Sequence, residues 1–215
     1  MQQSAIVRSL GGIKSLDRIG SPIQNVVDGA LSKMPVIRKA LQGTSWLGHA
    51  LHPALTDFPI GAWAAGFVLD MIEVGGNRRH RRAADIVHLF GFCSACAAGI
   101  TGLAEYAEAK SPPSKRVGVV HGLLNIGILG VYGASLLARR RGRRNQGIAL
   151  AGVGFGLLLV SGWLGRELTY ALGLGQTKDR AVAPELPSPE IRVEEQLEVV
   201  SAPEEIAGEG PPVTH

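Results

Sequence analysis

The sequence predicts an all-α fold: an integral membrane four-helix bundle, with N-terminal amphipathic helices before it and a disordered C-terminal tail after it. Three observations carry this. Four apolar stretches, 59–77, 84–106, 117–138 and 147–171, each have the length of about 20 residues that crosses a hydrocarbon core. The 215 residues are 46% hydrophobic and only 19% charged, and between Pro59 and Leu172 the charges gather in three short loops. From Gly175 onward, PELPSPE, EEQLEVV and APEEIAGEGPP are rich in Pro and Glu and carry no aromatic residue, so they bury too little to offset their ordering entropy.

The elements follow in order. Met1 to Gly20 reads as a polar, flexible lead-in without the apolar core of a cleavable signal. Residues 21–43 place Ile23, Val26, Val27, Ala30 and Leu31 at helical spacing, and after Pro35 the pattern resumes with Val36, Ile37, Ala40 and Leu41. Two short amphipathic helices on the membrane surface or against the bundle are expected. The stretch GTSWLGHALHPALTDFPIG, with two prolines and Trp46, suggests a shaped interfacial segment. Pro59 is a natural start for the first span and Asp57 a natural N-cap for it. Short connections predict antiparallel neighbours. The pairs Gly118/Gly122 and Gly152/Gly156 would let backbones approach closely. The organisation expected is 1–48 interfacial, 49–174 transmembrane and 175–215 tail.

Arg78, Arg79, Arg81 and Arg82 fill the first loop, and Arg139, Arg140, Arg141, Arg143 and Arg144 fill the third. The positive-inside rule then predicts a multi-pass protein of the inner (plasma) membrane with both termini extracytoplasmic. Basic residues beside apolar segments, rather than along an aromatic-bearing groove, point to the lipid bilayer as partner and away from nucleic acid.

Inside the spans, ionisable residues are costly and usually face the bundle interior. His121, Asn125, Tyr132 and Ser135 share one face of the third span, and Trp163, Glu167 and Tyr170 one face of the fourth, which predicts a polar seam. His52 and His121 should both lie near the outer boundary. Imidazoles suit haem b or a transition metal, so the pair are candidate ligands, with Asn125, Glu167 and Tyr170 around them. The alternative is that His52 caps a helix start and His121 bonds Glu167 or Asn125 to pin the bundle. His88 reads either as an interfacial residue touching Asp85 or as a proton-relay partner of Asp70. Cys93 and Cys96 form a CxxC within a span, read as packing residues rather than a redox pair. No nucleophile elbow, phosphate loop or HExxH signature is present, so no catalytic residue is assigned.

The segment GTSWLGHALHPALTDFPIGAW, with AADIVHLFG, AAGITGLAEY, the HGLLN stretch, YGASLLARR and SGWLGRELTYALG, resembles the DUF2231 family of bacterial four-span membrane proteins over residues 40–175. The resemblance implies a membrane protein of unassigned function. Some relatives carry a Rieske iron–sulfur domain, and this sequence lacks its ligands, having no Cys and only His215 beyond residue 171. Two readings therefore stand: an electron-transfer module with a haem or metal at His52 and His121 and an electron-transfer partner protein, or a structural or sensory membrane protein whose seam fixes helix packing.

Overall fold

The computed structural model describes residues 3–175, and every regular element among them is helical. Three short helices, α1 (Ala5–Gly12), α2 (Asp17–Ser32) and α3 (Pro35–Gln42), precede four long ones, α4 (Leu51–Val74), α5 (Arg81–Tyr106), α6 (Pro112–Arg140) and α7 (Arg144–Tyr170). The four long helices are long and apolar enough to cross a membrane. α4 packs along α5 and α6 along α7, and contacts of α5 with α6 and of α4 with α7 close the bundle. The tail from residue 176 lies outside the described residues.

The bundle turns its apolar side chains outward. Phe58, Val68, Ile86, Phe90, Ile126 and Leu159 are all more than half exposed, whereas Asp70, His88 and Ser135 are shut inside. That is the distribution a lipid solvent selects. The mid-bundle core is Trp63, Ile128, Tyr132, Ala151 and Leu158, with the Trp63 and Tyr132 rings stacked at 3.8 Å.

Several expectations change. The first span starts at Leu51, not Pro59. Ala50 is extended at the N-cap, and Pro53 falls in the first turn, where an amide N–H would have no helical partner anyway. Pro59 is therefore inside the helix, which transmembrane packing tolerates. Asp57 is an exposed mid-helix residue and caps nothing.

The lead-in is also more structured than its polarity suggests. Ser4 caps α1 by accepting from the Val7 N–H, and Val7 is fully buried against Val117, Leu164 and Leu168. Arg116 on α6 donates to both Asp17 oxygens at 2.9 and 2.7 Å and to the Gly11 carbonyl at 2.7 Å. Gln24 donates to the carbonyls of Ala107 and Ala109 at 3.1 and 2.8 Å, satisfying the end of α5. The amphipathic stretch is two helices as expected, broken before Pro35, with Gly43 left-handed (φ 76°) as the C-terminal stop of α3.

The four-residue glycine pairs do not both mediate close approach. A side chain on Gly122 or Gly156 would meet open space. The tight crossings use other glycines: a Cβ on Gly147 would lie 2.6 Å from Arg139 Cγ, and one on Gly66 the same distance from His88 Cε1. Spacing tells which residues share a face, not which face is inside. Cys93 and Cys96 are both exposed, so the CxxC packs nothing in the bundle interior.

Candidate functional site

Two polar centres lie at opposite ends of the bundle. The first is at the end where α4 and α6 begin. The His52 and His121 ring centroids are 6.3 Å apart, edge to face at 81°. His52 Nδ1 lies 2.8 Å from the Ala98 carbonyl. A carbonyl can only accept, so Nδ1 carries the proton and Nε2 keeps its lone pair. His121 is held on both sides: its Nδ1 is 3.2 Å from Ser161 Oγ, and its Nε2 is 3.1 Å from Asn125 Nδ2. Asn125 also donates to the His121 carbonyl at 2.8 Å, which fixes its amide orientation. The network therefore sets His121 as an Nδ1–H donor to Ser161 and an Nε2 acceptor from Asn125.

Small residues on the facing helices make room for both rings. A Cβ on Gly102 would lie 2.9 Å from His52 Cε1, and one on Gly165 would lie 3.1 Å from His121 Cε1. The imidazoles thus rest against the backbones of α5 and α7. Glu167 sits elsewhere: it is buried, accepts from the Ser4 N–H at 3.4 Å and pairs with Arg166 at 2.9 Å. Tyr170 is 61% exposed. Among the described residues neither hydrogen-bonds to an imidazole.

The second centre lies where the arginine loops meet the bundle. Arg139 grips Asp70 with two hydrogen bonds, Nη1–Oδ1 at 2.9 Å and Nη2–Oδ2 at 2.5 Å. His88 Nε2 sits 2.9 Å from Asp70 Oδ2. Arg139 also reaches Asp85 at 3.2 Å and Ser135 Oγ at 3.3 Å, while Ser135 donates to the Gly147 carbonyl at 2.6 Å. Beside it, Arg144 pairs with Glu73 at 2.6 Å and Asp85 at 2.9 Å, and Arg81 pairs with Glu73 at 2.6 Å. The side chains of Asp70, Arg139 and His88 are 1%, 2% and 0% exposed, so this is a charge network deep in the helix packing. His88 is no interfacial residue and its partner is Asp70, because Asp85 is taken by the arginines.

A family described as predicted membrane proteins (DUF2231) matches residues 48–178. The chain belongs to this family. No match to a curated protein or to a solved structure was found. The DUF2231 match takes in α4 to α7 and both polar centres, and it begins after α1 to α3. It establishes a membrane protein and brings no activity with it.

In this DUF2231 chain the sequence pointed to the histidine pair but missed the arginine network. Arg139 and Arg144 read as topology signals in a basic loop. The structure turns them back into the bundle, where they meet acids from α4 and α5. A signal was present: Asp70, Glu73, Asp85 and His88 all fall near the same end of their spans as the arginines. Buried acids of that kind need cationic partners.

Proposed function

We propose that this chain is a non-catalytic integral membrane module in which the polar groups inside the bundle fix the packing of the four spans. The observation that carries this reading is Arg139. Its buried guanidinium is bidentate to Asp70 and shared with Asp85, in a network that draws side chains from α4, α5, α6 and α7. Buried ion pairs add little net stability over apolar packing but strongly disfavour arrangements that leave one partner alone, so they specify one set of neighbours. Thermal unfolding of Arg139→Gln in lipid nanodiscs tests it. A clearly lower and broader transition is expected; an unchanged one would remove the network's role.

A second reading rests on the histidine pair. His52 and His121 bind one transition metal ion once the Asn125 amide swings off His121 Nε2, with Glu167 and Tyr170 farther out, and the site exchanges electrons with a partner protein. Its support is the 6.3 Å ring separation and the His52 tautomer, in which the backbone holds Nδ1 and leaves Nε2 free. A bare ion suits this geometry better than haem b, because both rings press on glycine backbones where a porphyrin would need a slot. Elemental analysis and an optical spectrum of the purified protein test it. Bound metal lost in both His52→Ala and His121→Ala, but kept in His88→Ala, is the expected pattern. A metal-free preparation that takes up neither copper nor zinc would end it.

The proposed orientation in the plasma membrane has both termini extracytoplasmic, on the count of nine arginines in the two loops assigned to the cytoplasm. Cysteine labelling at exposed Lys110 and Asn145, in a background lacking Cys93 and Cys96, tests it: position 110 should label from outside intact cells, and labelling of position 145 would invert the topology.

A further inference from the structure

At the histidine-bearing end, the loop after α7 folds back over the junction of α5 and α6 and walls a half-open cavity of about 420 Å³. Glu105, Glu108, Thr44, Ser111 and Ser114 are among its lining residues. Glu105 is the unusual member. It is 8% exposed, its Oε2 has no hydrogen-bond partner, and it forms no ion pair among the described residues. The other buried acids are treated differently: Asp70 meets Arg139, Glu73 meets Arg144, and Glu167 meets Arg166. An unpaired buried carboxyl group is costly to keep, and this residue lies on the wall of the cavity.

We propose that this cavity is a binding site for a small organic ammonium ion, with Glu105 as its counter-charge. The lining is rich in acceptors. Besides the two carboxylates it offers the Ser111 and Ser114 hydroxyls, 2.6 Å apart, and Ser114 Oγ reaches the Leu172 carbonyl at 3.4 Å. An ammonium group brings three donors and no acceptor, which is the complement of such a lining. The volume falls in the range of small-molecule sites, about 300–1,000 Å³, and exceeds what a bare ion would fill.

Arg38 and Gln42 both bind Glu108 Oε1, which leaves Glu105 as the carboxylate without a partner of its own. Lys110 is the cation on the lining and pairs with neither carboxylate among the described residues. The roof is made by glycine: Gly175 is left-handed (φ 74°), and a side chain there would collide with the Glu105 carboxyl group. Only a residue without Cβ lets the loop close so near the acid.

The test is a calorimetric titration of the full-length protein in nanodiscs with n-propylammonium chloride, against sodium propionate and sodium chloride at equal ionic strength. Saturable binding of propylammonium alone is expected, weakened about tenfold or more by Glu105→Gln and retained in Lys110→Ala. Thr44→Trp, at the exposed rim, narrows the cavity without touching the carboxylate and should weaken the same titration. It decides the matter if circular dichroism shows that Glu105→Gln does not fold. The proposal is overturned by no saturable binding, by equal binding of propionate, or by folded Glu105→Gln and Thr44→Trp variants that bind like the parent.

Discussion

At the arginine end, buried Asp70, Glu73 and Arg139 are matched, together with Asp85 and Arg144, as charges across four helices. At the other end, His52 and His121 lie edge to face as rings tied to a backbone carbonyl, a hydroxyl and an amide. The two ends solve one problem, polar groups inside an apolar bundle, at different stakes. A charge without its partner is far more costly in low dielectric than a neutral group without its hydrogen bond. The arginine end is therefore the more specific and the less forgiving of truncation, and the histidine end is the more adaptable.

Substitutions at the two ends should separate accordingly. Asp70→Ala strands His88 and takes the bidentate partner from Arg139, leaving it Asp85 at 3.2 Å and Ser135 at 3.3 Å, and the expected loss is about 3–5 kcal/mol in reversible unfolding. A loss no larger than at the histidine end would break the comparison. His121→Ala removes the partner of Ser161 and Asn125 and should cost about 1–3 kcal/mol by the same measurement. Gly165→Leu should sharpen the point by driving a side chain into the His121 ring, with a loss of about 1–3 kcal/mol from overpacking.

The smallest effect is expected outside the spans, at Asp17. The hydrogen bond from Arg116 holds its carboxyl below the ordinary value, and burial opposes this only in part. A carboxyl lowered in the folded state contributes stability that is present above its unfolded pKa, about 3.9, and lost as pH falls through the lower folded value. The packing of α1 and α2 on α6 should therefore loosen below about pH 4, read as protease sensitivity of the N-terminal region. Asp17→Asn should lack that acid step. Because the pair is partly exposed, salt should shrink the step further.

Much of the fold was legible because membrane helices announce themselves by length and by the absence of charge. All four spans were found, and three of them within a few residues of their starts. The first began too late because Pro59 looked like a helix start, whereas in lipid a proline inside a helix is tolerable. The N-terminal helices were underread because α1 buries few residues, chiefly Val7, and its docking depends on Arg116, which is 99 positions from Asp17. The proximity of His52 and His121 could be inferred from antiparallel packing. Their tautomers and the glycine shelves could not, since these depend on which face of α5 and α7 turns inward. The orphaned Glu105 was visible only as an acid near a helix end, because its cavity is walled by a loop whose path local sequence does not fix.

The most direct test of the account is a double-mutant cycle on Asp70→Asn and Arg139→Gln, measured by reversible unfolding in bicelles. If the pair is the specifying contact between α4 and α6, each single change should be strongly destabilising and the double variant much less so than their sum. The coupling expected is roughly 2 kcal/mol or more. Additive losses would contradict the account, since they would mean that Asp70 and Arg139 contribute to the bundle independently of one another.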